Sequence, residues 1–347
     1  MVKFEDWTLI EKHLVAIIIY LLPYLPACDS YNVHMKKKIY IAGAGGMLGE
    51  AFYRVFKNDY EIKCTDKDVN AKWLDFLDFR DFESYKKDVA DFNPDYLFHL
   101  GAYTDLEFCE LNLEDTYLTN TTSVENAVFI ANGLNIPMLY ISTAGIFDGK
   151  KEFYDDWDEP NPLGHYARSK YMGERYVREH ASKYIICRAG WMMGGGPDKD
   201  KKFINKIIKQ WASGKRELHI VNDKDGTPTF TVDFAKNVKL LIEKEYWGLY
   251  NLVCNGETSR REVAEELVNI LGLEDEVVFH EVSSNYFKDT YFAPRPTSER
   301  LINRKLELRN MNIMRDWKIA LREYIEDYYT EYLKGKIHVV KEEDVIL

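Results

Sequence analysis

Cysteine, basic surface and long apolar runs are all scarce in this chain, and each scarcity removes a class of protein. Five cysteines occur in 347 residues: Cys28, Cys64, Cys109, Cys187 and Cys254. None forms a Cys-x-x-Cys pair or stands at ligand spacing with a histidine, so no metal site is expected and a reducing, cytoplasmic setting is the simple inference. Lysine and arginine number 46 against 57 acidic residues, a net charge of -11. Without a dense basic patch no nucleic-acid partner is expected, and an anionic ligand would need cations gathered locally. The apolar stretch Leu14 to Leu22 stops at Pro23, well short of the roughly 20 residues that cross a bilayer, so no membrane partner is expected. Glu5, Asp6 and Glu11 stand where a secretory signal carries positive charge, although Leu25-Pro26-Ala27-Cys28 is a weak match to a lipoprotein cleavage site. Residues 1–34 are therefore read as a leader or upstream-start segment, with folding beginning at Met35-Lys36-Lys37-Lys38. Repeats and low-complexity tracts are absent.

What is present is an ordinary globular composition, 46% apolar and 30% charged, arranged in alternating periods. Lys38 to Ala42 reads as a buried strand, then a glycine turn, then a helix from Met47 to Phe56. Glu61–Thr65, Tyr96–Leu100, Met138–Ser142 and Tyr184–Arg188 read as further strands. Between them Asp81–Phe92, Leu113–Asn132 and Gly164–His180 carry helical periodicity. This alternation predicts an α/β fold, a Rossmann-type doubly wound parallel sheet. Beyond Arg188 the pattern loosens, and a smaller C-terminal α/β substrate lobe is expected. The division runs 35–190 for the nucleotide-binding domain with 228–255 returning to it, 191–227 and 256–335 for the lobe, and 336–347 as a tail.

Gly43-Ala44-Gly45-Gly46-Met47-Leu48-Gly49 lies between the first strand and first helix, where glycines allow a tight turn and let backbone approach a pyrophosphate at the helix N-terminus. Asp66 closes the second strand, placed for the adenosine ribose hydroxyls as in NAD(H) sites, while the adjacent Lys67 suits the 2′-phosphate of NADP(H). Both cofactors stay open. Asp78 can reach an adenine edge or serve as a loop acid and helix cap. Tyr166 and Lys170 stand four residues apart and so share a helix face, where an ammonium can stabilise a phenolate. Ser142 and Thr143 end the strand before them, and Thr143 suits the hydrogen bond that polarises a reacting carbonyl while Tyr166 gives it a proton.

These motifs together resemble the extended short-chain dehydrogenases, and within them the dTDP-4-dehydrorhamnose reductases. The resemblance spans Lys37 to Leu333 through an ordered set of marks. These include Gly101-Ala102-Tyr103-Thr104, Ser142-Thr143 with Phe147-Asp148-Gly149, Tyr166 to Lys170, Arg188 with Trp191, and Ala293-Pro294-Arg295-Pro296 with Ser298. It implies Thr143, Tyr166 and Lys170 as the catalytic group and Ala102, Tyr103 and Thr104 along the nicotinamide ribose. Trp191 and Arg295 would contact the sugar nucleotide, and Asn120 would support the active-site helix. Read by themselves, Trp191 would be core packing and Arg295 a surface ion pair. One departure stands out: those reductases usually follow the threonine with Asp-Tyr, where this chain has Ala144-Gly145.

The activity implied is reduction of the 4-keto group of a nucleotide-linked 6-deoxy sugar, with the nucleotide sugar as partner and a homodimer as the assembly allowed for. A sugar-nucleotide epimerase is the alternative on the same fold, whereas a dehydratase would need an acid/base pair that Ala144-Gly145 lacks. A binding subunit similar to the regulatory subunit of methionine adenosyltransferase is the non-enzymatic alternative, disfavoured by the presence of Thr143, Tyr166 and Lys170.

Overall fold

The computed structural model describes residues 36–336; the expectations for residues 1–34 and, beyond Lys336, for the tail lie outside the described residues. Strand β1, Lys38–Ala42, sends Ile39 and Ile41 into one hydrophobic cluster and Tyr40 and Ala42 into a second, since successive side chains of a strand face opposite ways. Burial on both faces is why this segment reads as a nearly continuous apolar run.

The other strands of the main sheet are β2 (Glu61–Asp66), β3 (Leu74–Phe76), β4 (Tyr96–His99), β5 (Met138–Thr143) and β6 (Tyr184–Ala189), with Gly248–Asn251 as the seventh. Their order is Gly248–Asn251, β6, β5, β4, β1, β2, β3, and every pairing is parallel. This is the doubly wound Rossmann-type sheet the alternation predicts. The chain winds outward from β1 through β2 and β3, then restarts on the other side at β4, and that reversal opens a crevice at the strands' C-terminal ends.

Helix Met47–Phe56 packs Phe52 and Phe56 edge-on against Phe98 of β4, with ring centroids 5.4 and 5.7 Å away. Phe52 also meets Phe234 of helix Thr231–Glu243 at 6.4 Å. On the opposite face, helices Phe82–Phe92, Ser123–Leu134 and His165–His180 cover the cluster around Tyr40, Leu97 and Tyr140.

The helix expected over Leu113–Asn132 is present, helical from Leu113 to Leu134 but not α throughout. Helix Leu106–Leu111 precedes it, capped by Asp105; then come Leu113–Tyr117, a π turn over Leu118–Thr122, and Ser123–Leu134. Such a turn holds one extra residue, and here the insertion carries Asn120. Beyond β6 there are small sheets: Pro228–Phe230 beside Trp191–Met193 and Asp225–Gly226 between Thr258–Ser259 and Ser298–Glu299, their strands too short to show a period, and the five-residue pair Val278–Val282 beside Glu217–Val221. The stretch expected as a turn at Asp225-Gly226-Thr227-Pro228 thus lies within two of these pairings. The four cysteines among the described residues, Cys64, Cys109, Cys187 and Cys254, are free and buried.

Candidate active site

The glycine turn works because two close approaches exclude side chains. Gly43 has φ +75°, and a Cβ there would stand 2.3 Å from the Gly101 backbone; one on Gly49 would stand 2.1 Å from the Ala44 carbonyl oxygen. Gly46 is the contrary case, with nothing within 4 Å of where its Cβ would be. It begins helix Met47–Phe56 with no side-chain cap, whereas Asp81, Asp105 and Ser259 cap the helices they begin. The first N–H groups of Met47–Phe56 therefore face open space beside bare backbone, the arrangement that accepts a diphosphate.

That space belongs to a cavity of about 440 Å³, within the range of small-molecule sites. Its wall holds Gly43, Gly46, Met47, Leu48 and Gly49, then Asp66, Lys67 and Asp78, then Ala102, Tyr103 and Thr104. Ser142, Thr143, Tyr166, Lys170, Trp191 and Arg295 complete the expected set in the same wall. Gly45 is the exception: it is not in the wall, and its N–H donates to Asp66 Oδ2 at 2.8 Å. Asp66 Oδ1 accepts from the Asp68 N–H at 2.9 Å, so this carboxylate braces the glycine turn as well as bordering the cavity. Asp78 accepts from Arg80 Nε through both oxygens, at 2.9 and 3.0 Å. That guanidinium holds the carboxyl below its ordinary range, so Asp78 acts as an anchor for Arg80.

The cavity is cationic inside an acidic protein. Lys67, Arg80, Lys170, Lys202, Arg260 and Arg295 line it against Asp66, Asp78, Glu110 and Glu299, which supplies the local positive charge that an anionic ligand requires. Lys67 Nζ donates to the Tyr103 hydroxyl at 3.0 Å at the end of the cavity nearest β2.

Near the ends of β5 and β6 lie the reactive groups. Thr143 Oγ1 accepts from the Gly145 N–H at 3.1 Å, and Ser142 Oγ is buried with no hydrogen-bond partner among the described residues. Tyr166 and Lys170 project together from helix His165–His180. Burial pushes the Tyr166 phenol up to about 12, a shift moderated by its hydrogen bond with Thr143. Burial also pulls the Lys170 ammonium down to about 7, partly opposed by Glu174; its Nζ lies 4.3 Å from the centre of the Tyr140 ring. A lysine so placed gains or loses its proton near neutral pH.

Asn120 holds two elements together. Its Oδ1 accepts from Tyr103 N–H at 2.8 Å, and its Nδ2 donates to the Tyr103 carbonyl at 3.0 Å and to Ser169 Oγ at 3.1 Å. The π turn thereby ties the loop after β4 to the Tyr166 helix.

Trp191 and Arg295 are each doubly engaged. Trp191 Nε1 donates to Glu299 Oε2 at 2.7 Å, while the Arg260 guanidinium stacks 3.7 Å from its ring centre. Arg295 pairs with Glu107 at 2.8 Å and still borders the cavity. Sequence reasoning does not reach Arg260, Lys202 or Glu299, which look like ordinary surface charges; Arg260 follows the short strand Thr258–Ser259, Glu299 lies in Ser298–Glu299, and Lys202 begins helix Phe203–Ala212. Lys202 Nζ donates to the carbonyl and hydroxyl oxygens of Thr104, both at 3.0 Å.

A family model described as the RmlD substrate binding domain matches residues 36–330. The chain belongs to that family. Among curated relatives, the RmlD-type chain is 29% identical over 292 residues to the spore coat polysaccharide biosynthesis protein SpsK of Bacillus subtilis, covering 84% of this chain and 97% of that protein. It is 27% identical to the dTDP-4-dehydrorhamnose reductase of Mycobacterium tuberculosis, covering 82% and 91%. Among solved structures it superposes on the Bacillus anthracis dTDP-4-dehydrorhamnose reductase in complex with NADP, with TM-score 0.77 and 26% identity over 84% of this chain and all of that one. The span of the family model takes in the glycine turn and the small C-terminal sheets.

Proposed function

We propose that the protein is an NAD(P)H-dependent reductase of a nucleotide-linked 6-deoxy sugar, converting dTDP-4-dehydrorhamnose to dTDP-L-rhamnose or a close relative. The observation that carries the reading is the meeting, in one cavity, of Thr143, Tyr166 and Lys170 with an uncapped helix N-terminus at a glycine turn. The glycine turn and the first N–H groups of helix Met47–Phe56 suit the cofactor's diphosphate, with Lys67 and Arg80 toward its adenosine end. Bound there, the cofactor supplies hydride.

The chain's own residues do the rest. Thr143 donates a hydrogen bond to the carbonyl oxygen and polarises it. Tyr166, a phenol and so protonated at neutral pH, gives that oxygen its proton as the carbonyl carbon accepts hydride. The C=O group becomes CH–OH, and Tyr166 is left as a phenolate that the neighbouring Lys170 ammonium stabilises until solvent restores the proton. Residues 191–227 and 256–335 supply the sugar-nucleotide side of the cavity through Trp191, Arg260, Arg295 and Glu299. Segment 228–255 returns to the main sheet through Gly248–Asn251.

The test is spectrophotometric: the purified full chain with dTDP-4-dehydrorhamnose should oxidise NADPH or NADH. Tyr166→Phe should lower kcat by about 100-fold or more, with the melting temperature close to wild type. No oxidation of either cofactor by the wild type would overturn the reading, and a variant as active as wild type would remove Tyr166 as the proton donor.

A further inference from the structure

Glycine at 145 leaves a small space, and the groups around it are informative. The point where a Gly145 Cβ would lie is 3.3 Å from Glu299 Oε1, 3.5 Å from Thr143 Oγ1 and 3.9 Å from Tyr166 Cε1. A carboxylate therefore faces the two groups assigned to the carbonyl across a gap that any larger residue at 145 would invade. Glu299 arrives there from the strand Ser298–Glu299, paired with Asp225–Gly226. Its Oε2 is occupied by Trp191 Nε1; its Oε1 is the oxygen turned to the gap.

We infer that Glu299 is a specificity-determining residue that accepts a hydrogen bond from a hydroxyl of the reacting sugar, standing beside Gly145, which provides no side chain. The inference rests on the reductase reading, which puts the keto oxygen on Thr143 and Tyr166 and so brings the substituents of neighbouring ring carbons into this gap. An ionised carboxylate only accepts, so the sugar atom facing it must be a donor. Arg260, stacked on Trp191 and coupled to the Glu299 charge, offsets that negative charge and disfavours an ammonium. A neutral hydroxyl is the group that fits both.

The test compares binding of dTDP-L-rhamnose and of dTDP alone, by calorimetry in the presence of NADP+, for wild type, Glu299→Gln and Gly145→Ser. The Gln amide keeps an oxygen for Trp191 Nε1 and turns an NH₂ toward the gap. Glu299→Gln should weaken dTDP-L-rhamnose by about 10-fold while leaving dTDP unchanged. Gly145→Ser, intruding from the other wall, should give the same selective loss. Equal affinities in wild type and Glu299→Gln would overturn the inference. So would a wild type that binds the two ligands alike, or an equal loss for both ligands in each variant, the signature of a structural role. A wild type that fails to reduce dTDP-4-dehydrorhamnose yet shows Glu299-dependent sugar binding would instead refute the reductase reading and leave Glu299 as a sugar-reading residue.

Discussion

Lys170 is the residue on which proton chemistry and stability meet. Its ammonium is held at about 7 in the fold against an ordinary 10.5, because burial strips water from the charged form. Between those values the unfolded chain binds more protons than the folded one, so stability from this group rises as pH rises through the window, and below it the fold carries a buried charge. Lys170→Met removes this dependence. The melting temperature of wild type relative to Lys170→Met should climb between about pH 7 and about pH 9.5; parallel curves across that range would contradict the assignment. Tyr166, Lys170 and Thr143 were legible as a site because their spacing states a shared helix face and a strand end. Arg260, Lys202 and Glu299 were not, since each sits among charged neighbours; pairings between remote two-residue strands position Arg260 and Glu299, and Lys202 is placed by the start of helix Phe203–Ala212.

Among the elements, the π turn over Leu118–Thr122 matters most for the site. Without it Asn120 would follow the α period and could not bracket both backbone groups of Tyr103. Asn120→Ala would leave the Tyr103 N–H and carbonyl without these partners and take one of two hydrogen bonds from Ser169 Oγ, which keeps its bond to the Tyr166 carbonyl, destabilising the protein by about 2–3 kcal/mol. A urea titration measures that loss. A cofactor titration should show weaker binding as well, because Ala102 to Thr104 line the cavity. The sequence shows a long helix here since a single inserted residue barely disturbs an apolar stripe. Strands buried on both faces, such as β1 and β5, announce themselves as apolar runs; β3 and the two- and three-residue C-terminal strands are too short for any period to be read.

At the scale of the molecule, the sheet is bound to the Tyr166 helix by a buried ion pair. Arg188, at the end of β6, donates through Nη2 to Glu174 Oε1 at 2.6 Å and through Nε to Oε2 at 3.1 Å, and both side chains are essentially inaccessible. The Arg188 guanidinium also lies 5.2 Å from the Phe147 ring centre. Removing one partner strands the other charge: Arg188→Met should cost about 3–5 kcal/mol in chemical denaturation, and the double change Arg188→Met, Glu174→Leu should recover most of it. A double variant as unstable as the single one would show that the lost contact of the guanidinium with the Phe147 ring, not the stranded charge, dominates.

The strand order also imposes a timetable. Six strands of the main sheet are made by residue 189, yet the seventh, Gly248–Asn251, is supplied 59 residues later. During synthesis the outer edge of β6 stays open until that segment leaves the ribosome. The opposite edge has no such interval, because the three-residue β3 follows β2 at once and offers little to pair with. A nascent or truncated chain ending before residue 248 is thus a molecule with one sticky side, and its fate is decided by whether Gly248–Asn251 or another chain reaches β6 first.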